Sequence, residues 1–483
     1  MKVKNLFAMA ALALGFAACS SNDEILDKGT EAKLNTHVGL SLQFPVSSTK
    51  ALPGDYNELA EDWKGRDKIE TVTVFLVNKT EDRVDYTTFP ADQLGVNQEG
   101  TLSEKLVVKS LPGTDVEVFV VVNDKNSIVS DLKKVSSSQF ATVFGQKVVA
   151  ATADKVATTK DSKDVILMTN TQLAKLEVKK GVTEEAARAG GNNVTVSVDR
   201  VVSRAILTMI DGDIIVKGKV VDEEKDLVKI TEVTYVVGQS NKEFFLMQQP
   251  NFVTPEAAYN FVPTGGNWFN NTFLDYTSVT KNTEVQKVDK NDPTSLLAAL
   301  VKETDSKFVL PVTHKESDYR KGNSTYFEIT AKFVPTEVLE DTKEAYVPGE
   351  SLFMGVFDKK FYSTKEAAVA KGQKVLDYSG GEMKYIIWLN PDNIKKPKMS
   401  PTVRNQVYHA HITGFKEMGL PNNPLNPEDP KNPDPKDPED PDTPTNPIDP
   451  EDPLKTDDTY LSVSISVLNW GMHSYEVDLG NDY

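Results

Sequence analysis

Cysteine is nearly absent from this chain of 483 residues, since Cys19 is the only one. A disulfide within the chain is therefore excluded, and stability must come from the packing of secondary structure. Histidine is also scarce, with five residues, so a histidine and cysteine cluster around a transition metal is not expected. These shortages predict a fold without a metal site and without covalent cross-links.

A surplus of positive charge is also missing. The chain has 54 lysine and arginine residues against 71 aspartate and glutamate residues, which gives a formal net charge of -17. Nucleic-acid binding requires clustered basic side chains that displace counterions from phosphate. We therefore expect no nucleic-acid partner.

Recognisable catalytic signatures are lacking. The sequence has no G-x-S-x-G, H-E-x-x-H or paired-carboxylate pattern. His409 and His411 would share one face of a strand and could hold a metal there, but without a nearby cysteine a solvated strand face is the simpler interpretation. We therefore expect a protein that is not an enzyme and that needs no cofactor.

Long hydrophobic runs are scarce, and the clearest one lies at the N-terminus. Two lysines precede the apolar run Leu6–Ala18, which is too short for a permanent transmembrane helix and is typical of a signal peptide. The run ends in FAAC, which fits a lipoprotein signal with Cys19 as the lipidated residue. We expect residues 1–18 to be a lipoprotein signal peptide, residues 19–50 a propeptide, and the precursor an outer-membrane lipoprotein.

Short strand patterns are abundant. Runs rich in β-branched residues recur between turn-forming residues, for example at 69–78, 116–123 and 324–335. Many short strands with few helices predict an all-β fold of antiparallel sandwiches. We expect two tandem β-sandwich domains, 51–212 and 213–420, with a boundary near Gly212.

Helical spacing is found in two places. Ile128, Leu132 and Val135 recur at intervals of four and three residues, with Ser127 as the expected N-cap. Residues 292–303 form the second expected helix, with Pro293 near its first turn.

The first strand pattern occupies residues 37–46. Five apolar residues alternate there with small or polar ones: Val38, Leu40, Leu42, Phe44 and Val46. Because side chains on a strand alternate between its two faces, the segment presents one apolar face. The segment SSTKALPG that follows has the composition of an exposed loop.

A second pattern of the same kind lies near the C-terminus, where the alternating apolar residues are Leu461, Val463, Ile465 and Val467. It follows an acidic, proline-rich arm at 421–456, whose regular prolines are typical of polyproline II. At about 3.1 Å per residue, such an arm would reach roughly 100 Å. Residues 457–483 are too few for a core of their own, so they must complete a sheet in their own subunit or in the next.

The chain resembles the fimbrillins of Bacteroidetes type V pili, and most closely the Mfa-type major subunits of Porphyromonas short (minor) fimbriae. Among the segments that carry the resemblance are EDWKGRDKIETVTVFLV (61–77), VSVDRVVSRAIL (196–207), VRNQVYHAHI (403–412) and VLNWGMHSYEVDL (467–479). It implies two transthyretin-like β-sandwich domains, export as a lipoprotein and proteolytic removal of the first strand. It also implies polymerisation by insertion of a neighbour's C-terminal strand.

The expected cleavage position departs from the family. Porphyromonas fimbrillins are typically cut after an arginine by an Arg-specific gingipain, whereas the matching loop here offers Lys50. We therefore expect cleavage between Lys50 and Ala51 by a trypsin-like or gingipain-type protease.

These features together predict a structural shaft subunit of surface fimbriae that supports adhesion and colonisation. Its expected partners are copies of itself in a head-to-tail polymer, and accessory tip and anchor subunits. A receptor on host or bacterial surfaces is a further candidate. The removable strand at 37–46 and the donor strand at 461–467 would compete for one groove. The alternative is a monomeric surface lipoprotein that acts as an adhesin or a carbohydrate-binding module.

Overall fold

The computed structural model of this chain describes only part of the sequence. The described residues are 34–43, 67–95, 102, 105–125, 127–220, 223–255, 274–275, 279–289, 307–315, 318–389, 400–422, 453–454 and 471–479. Within these ranges, no helix is long and apolar enough to cross a membrane.

Several predicted features lie outside the described residues and stay predictions. They are the signal peptide with Cys19, Phe44 and Val46 of the first strand pattern, the cleavage position at Lys50 and Ala51, the helix at 292–303, most of the proline-rich arm, and Leu461, Val463, Ile465 and Val467.

Most of the secondary structure is β-strand, so the prediction of an all-β fold with a few short helices is confirmed. Strands β1 to β12 are Thr36–Gln43, Thr71–Asn78, Arg83–Pro90, Leu106–Ser110, Gly113–Val122, Val148–Ala150, Ala157–Lys160, Lys163–Ile166, Met168–Asn170, Ala174–Val178, Asn193–Arg200 and Ser203–Ile210. Strands β13 to β27 are Ile215–Val220, Glu223–Gly238, Ser240–Asn241, Glu243–Phe245, Leu274–Asp275, Val279–Glu284, Gln286–Val288, Lys307–Val309, Tyr326–Pro335, Phe353–Gly355, Phe361–Tyr362, Val375–Asp377, Glu382–Trp388, Gln406–Phe415 and Gly471–Leu479. Helices α1 to α5 are Ile128–Leu132, Ser137–Gln146, Ala153–Val156, Glu184–Arg188 and Lys365–Ala370.

An eight-stranded sheet forms the N-terminal half of the molecule. Its order is β3-β2-β5-β9-β11-β1-β4, and β10 pairs with β5. Phe119 of β5 contacts Phe140 and Phe144 of α2, with ring centroids 5.0 and 4.8 Å apart. These rings belong to one cluster of buried apolar side chains, the N-terminal core, which also contains Val38 and Leu40 of β1.

Two five-stranded sheets form the C-terminal half. One has the order β19-β12-β26-β27 with β20 paired to β12, and the other has the order β13-β14-β21-β25 with β18 paired to β14. Leu207 and Tyr408 from the first sheet and Tyr235 and Phe327 from the second share a second buried cluster, the C-terminal core. The two sheets therefore pack face to face as a β-sandwich.

The expectation of antiparallel sheets is wrong for several pairs. Strand β1 runs parallel to β11, and β12 runs parallel to both β19 and β26. These partners are distant in the chain. Short spacing between consecutive strands indicates the direction of hairpin partners only, so it carries no information about such pairs.

The expected helix near residue 128 is observed as α1, but the prediction that Ser127 caps it is wrong. Ser127 has a left-handed backbone (φ 59°) and its side chain makes no capping hydrogen bond. Asp124 replaces it, because its two carboxylate oxygens accept the N–H groups of Ile128 and Val129 at 3.1 and 2.8 Å. One carboxylate thus satisfies two amides that the first helical turn leaves without partners.

Sequence pattern did not predict helices α2 to α5. In α2, Phe140 and Phe144 recur at the spacing of one helical turn, but the surrounding serine and threonine residues weaken that signal.

The chain passes from one half to the other within two residues. Only Val201 and Val202 separate β11, which lies in the N-terminal sheet, from β12, which lies in the C-terminal sandwich. Ile206 of β12 still reaches the N-terminal core. The domain boundary near Gly212 stays a prediction.

Candidate functional site

The strand predicted to be removable has an interior place in the N-terminal sheet. Strand β1 lies between β11, to which it is parallel, and β4, to which it is antiparallel. Val38 and Leu40 are at most 1% exposed and lie in the N-terminal core, with Leu42 partly buried against it. Among the described strands, β4 pairs with β1 alone. Strand β1 therefore connects β4 to the rest of the sheet, and we call its place between β4 and β11 the slot.

The connection between β10 and β11 crosses the start of β1. We call this connection, residues 179–192, the strap. Thr36 Oγ1 donates a hydrogen bond to the Lys179 carbonyl at 2.7 Å and accepts one from the Val182 N–H at 3.1 Å. The His37 N–H donates to the Val182 carbonyl at 3.0 Å. The strand is thus held by the strap as well as by its two neighbours.

The strap is closed by Asn192. Its side-chain amide donates to the carbonyl groups of Lys179 and His37 at 2.9 and 3.1 Å, and its oxygen accepts the Lys179 N–H at 2.8 Å. Asn192 has a left-handed backbone (φ 47°), a conformation that asparagine tolerates better than most residues. No sequence pattern indicates this residue, because its contacts join segments that are far apart in the chain.

The last described strand has a different environment. Strand β27 runs parallel to β26, from Gln406 opposite Gly471 to Ile412 opposite Val477, with an irregularity before Gly414. It has no second neighbour among the described strands, so it forms an edge of its sheet. The donor pattern at 461–467 lies outside the described residues, and its role stays a prediction.

The end of the proline-rich arm also contacts the C-terminal half. Pro453 forms a β-bridge with Arg320, and Leu454 is buried. The chain therefore meets the C-terminal half at two further places, at 453–454 within the end of the arm and at β27 beyond it.

Buried arginine residues connect the two halves of the molecule. Arg404 pairs with Asp199 Oδ1 at 2.8 Å and donates to Thr169 Oγ1 at 3.0 Å and to the Phe245 carbonyl at 3.2 Å. Arg200 pairs with Asp67 in the same region. Arg204 is fully buried, 3.6 Å from Asp164. We call these pairs the arginine junction.

Burial shifts the acid–base properties of this junction. It raises the pKa of Asp199 to about 6, although the positive charges of Arg404 and Arg200 oppose the shift. Burial also lowers the pKa of Arg404, against the attraction of Asp199. The sequence signal for the junction is weak, since the arginine residues in VDRVVSRAIL belong to the family resemblance and no local pattern indicates their partners.

The interpretation of His409 and His411 as a solvated strand face is wrong. Both residues are buried, and Thr208 Oγ1 lies 2.7 Å from His409 Nε2 and 2.8 Å from His411 Nδ1. Their strand, β26, has neighbours on both edges, so partners in the protein replace water. Burial, with a smaller contribution from His411, lowers the pKa of His409 to about 3.

Other features that could hold a ligand are limited. Among the residues with described structure, no group of three or more histidine, cysteine, aspartate or glutamate side chains is placed to hold a metal. A cavity of about 760 Å³ opens on the C-terminal half, lined in part by Lys217, Lys219 and Lys416. Its aromatic residue, Tyr378, is 1% exposed and donates to the Gly419 carbonyl, so it offers no free ring face for a sugar.

A match to a protein-family model decides the relationship. The model is described as major fimbrial subunit protein type IV, fimbrillin, C-terminal, and it matches residues 377–476. Over these residues the chain is similar to the C-terminal domain of fimbrillins. The matched residues hold β25 and β26, the last residue of β24 and residues 471–476 of β27. The resemblance to Bacteroidetes fimbrillins is thereby confirmed.

The relationship extends beyond that domain. The minor fimbrium subunit Mfa1 of Porphyromonas gingivalis is 29% identical over 510 aligned positions, which cover 99% of this chain and 100% of the relative. A solved fimbrilin (fimA) from Porphyromonas gingivalis W83 superposes loosely, with a TM-score of 0.39, 14% identity, and 80% of this chain and 93% of that chain covered. The tip fimbrial protein Mfa3 of Porphyromonas gingivalis gives a TM-score of 0.35, 13% identity, and 78% and 94% coverage.

Proposed function

We propose that this protein is a structural shaft subunit of a surface fimbrium, made as an outer-membrane lipoprotein precursor and polymerised by exchange of strands. The observation that supports this proposal most directly is the interior position of β1. The N-terminal strand fills a place between two strands of the folded body, and Lys50, in a segment with the composition of a loop, follows it within a few residues.

Loss of β1 would leave a vacancy that the sheet cannot close alone. The slot would expose the apolar residues that now contact Val38 and Leu40, together with backbone groups of β4 and β11. Unpaired strand edges of this kind readily accept an added strand. A precursor that keeps β1 in place would be protected against premature pairing.

We propose that the replacing strand comes from the C-terminal segment of another subunit. Leu461, Val463, Ile465 and Val467 repeat the alternation of the first strand, and the proline-rich arm supplies the reach. Each apolar side chain buried contributes roughly 1.5–3 kcal/mol, and each backbone hydrogen bond about 1 kcal/mol. These gains must exceed an association cost of about 4–15 kcal/mol. A strand that pairs on both edges forms enough hydrogen bonds and buries enough apolar surface to exceed it.

Repetition of this contact would produce a filament. A donor at one end of the subunit and an acceptor slot at the other make a head-to-tail interface, and such an interface continues without closing. Accessory subunits would begin and end the polymer, and the fimbrium would carry adhesion at the cell surface. Lipidation of Cys19 and cleavage after Lys50 belong to the same proposal.

Controlled cleavage of the full-length precursor tests the proposal. Treatment with a trypsin-like protease should give protein that begins at Ala51, ladders on unheated gels and filaments in electron micrographs. Lys50→Ala should block all three, whereas Lys134→Ala, at a lysine whose side chain is 73% exposed, should have no effect. Cleaved protein that stays monomeric, or filaments from a variant lacking 457–483, would contradict the proposal.

The alternative is a monomeric adhesin or carbohydrate-binding lipoprotein. The cavity described above has no exposed aromatic ring in its described lining, whereas ligand pockets are lined mostly by apolar and aromatic side chains. The slot, in contrast, is filled by a strand of the chain itself, which favours the shaft subunit.

A further inference from the structure

Gly39 is the one position of β1 at which a side chain would collide with backbone. A Cβ atom added there would lie 2.3 Å from the Ala187 carbonyl oxygen and 3.1 Å from the Ala187 carbonyl carbon. Real Cβ contacts are essentially never so short, and a main-chain carbonyl cannot rotate away as a side chain can. The absence of a side chain is what lets the strap pass over the strand.

The strap holds this carbonyl in place from several sides. The Ala187 oxygen accepts the Gly190 N–H at 3.1 Å, and Thr183 Oγ1 caps α4 by accepting the Ala186 N–H at 3.2 Å. Arg188 Nη1 donates to the Lys105 carbonyl, directly before β4, at 3.1 Å. The strap is thus fixed to the β4 side of the slot here and to the β11 side through Asn192, so outward movement of Ala187 would disrupt several hydrogen bonds.

The collision defines a single register for the strand. His37 and Ser41 share the face of Gly39, because side chains alternate along a strand, while Val38 and Leu40 face the core. Sliding β1 by two residues would place His37 or Ser41 under the Ala187 carbonyl. Sliding it by one would bring Val38 or Leu40 there and remove the apolar face from the core.

We propose that Gly39 and the Ala187 carbonyl determine which strands the slot accepts, and in which register. The ligand that fits is an extended peptide in which glycine lies between two apolar residues, as in Val38-Gly39-Leu40. A strand that carries a side chain at the glycine position enters only if the strap is displaced. The proposed donor at 461–467 has serine between its apolar residues, so its entry would require that displacement. The role in subunit exchange rests on the proposed function, but the selectivity of the slot for its own strand does not.

Hydrogen exchange of the uncleaved full-length protein tests the proposal. Amide protection of the peptide 34–43 is measured by mass spectrometry in the wild type and in Gly39→Ala and Gly39→Val. Overpacking against backbone should lower this protection by about ten-fold in Gly39→Ala and by about a hundred-fold or more in Gly39→Val. Ser41→Ala and Ser41→Val, on the same face but away from Ala187, should change it less than about three-fold.

A second variant separates the strap from a general folding defect. Arg188→Ala removes the bond to the Lys105 carbonyl and loosens the strap, so the double variant Gly39→Ala with Arg188→Ala should regain part of the lost protection. Wild-type protection in Gly39→Val, or equal losses for Gly39 and Ser41 variants, would overturn the proposal, as would the absence of rescue. Because no polymer is involved, a failure of fimbrial assembly would contradict the proposed function and leave this result intact.

Discussion

The first and last described strands contrast in how the molecule holds them. Strand β1 is paired on both edges, contributes Val38 and Leu40 to the N-terminal core and lies under the strap. Strand β27 is paired with β26 alone among the strands that the structure describes, and it follows a long proline-rich segment. Both run parallel to a strand of their own chain, so direction does not distinguish them. What distinguishes them is the number of neighbours.

This contrast bears on how strand exchange would occur. Cutting the chain after β1 removes a covalent link but none of the two ladders, the strap contacts or the buried side chains. The strand should therefore stay bound after cleavage until another strand displaces it. An edge strand such as β27 opens at the loss of a single ladder, which makes the C-terminal segment the easier one to move.

A buried charge in β1 should cause the largest loss of stability, because it acts on the better-anchored of the two strands. Val38 is fully buried, so Val38→Asp places an unpaired carboxylate in the N-terminal core. We expect a loss of about 3–5 kcal/mol in the free energy of unfolding, measured by denaturant titration. Ser41→Asp, at a partly exposed position of the same strand, is the matched control. Similar losses for both variants would mean that β1 is no better anchored than an edge.

Acidification should weaken the sheet that carries β27. His409 lies on β26, and its pKa is lowered by burial from 6.5 to about 3, so the folded protein excludes a proton that the unfolded chain binds. The contribution of His409 to the free energy of unfolding is fully present above pH 6.5 and is lost as the pH falls toward 3. Between pH 7 and pH 5 the expected loss is about 2 kcal/mol. His409→Gln should remove this part of the pH dependence, as measured by denaturant titration across that range.

The arginine junction should respond in the opposite direction. The pKa of Asp199 is raised from 3.8 to about 6, so the folded state binds a proton more tightly than the unfolded chain does. Its contribution is fully present below pH 3.8 and is lost as the pH rises through 6. In the wild type this partly offsets the loss from His409, and an unchanged acid slope in His409→Gln would contradict the role assigned to the buried histidine.

The smallest expected effect concerns the strap. Thr36→Val keeps the shape of the side chain but removes the hydroxyl that bonds to Lys179 and Val182. We expect a cost of about 1 kcal/mol, seen as faster hydrogen exchange in peptide 34–43 with little change elsewhere. Thr36→Ser, which keeps the hydroxyl, should exchange more slowly than Thr36→Val. Equal exchange in the two variants would show that the strap does not help to hold β1.

Local pattern was enough to predict many of the elements but not their partners. The alternation of Val38, Leu40 and Leu42 indicates a strand with one apolar face, and the structure has β1 there. Nothing in that pattern shows that β11, about 150 residues later, is its parallel neighbour. Ser127 and Asp124 illustrate the same limit, since either residue type can cap a helix and only the geometry of the preceding turn selects the aspartate.

The sequence by itself determined the kinds of structure available: strands without disulfides, an acidic surface and two similar apolar stripes near the two ends of the chain. Tertiary structure alone decided that β1 lies between β4 and β11, that a glycine passes beneath the strap, and that His409 and Arg404 are buried. Alternation and composition are local properties that a short segment carries wherever it lies. Neighbours and burial depend on segments far apart in the chain, which only the folded molecule brings together.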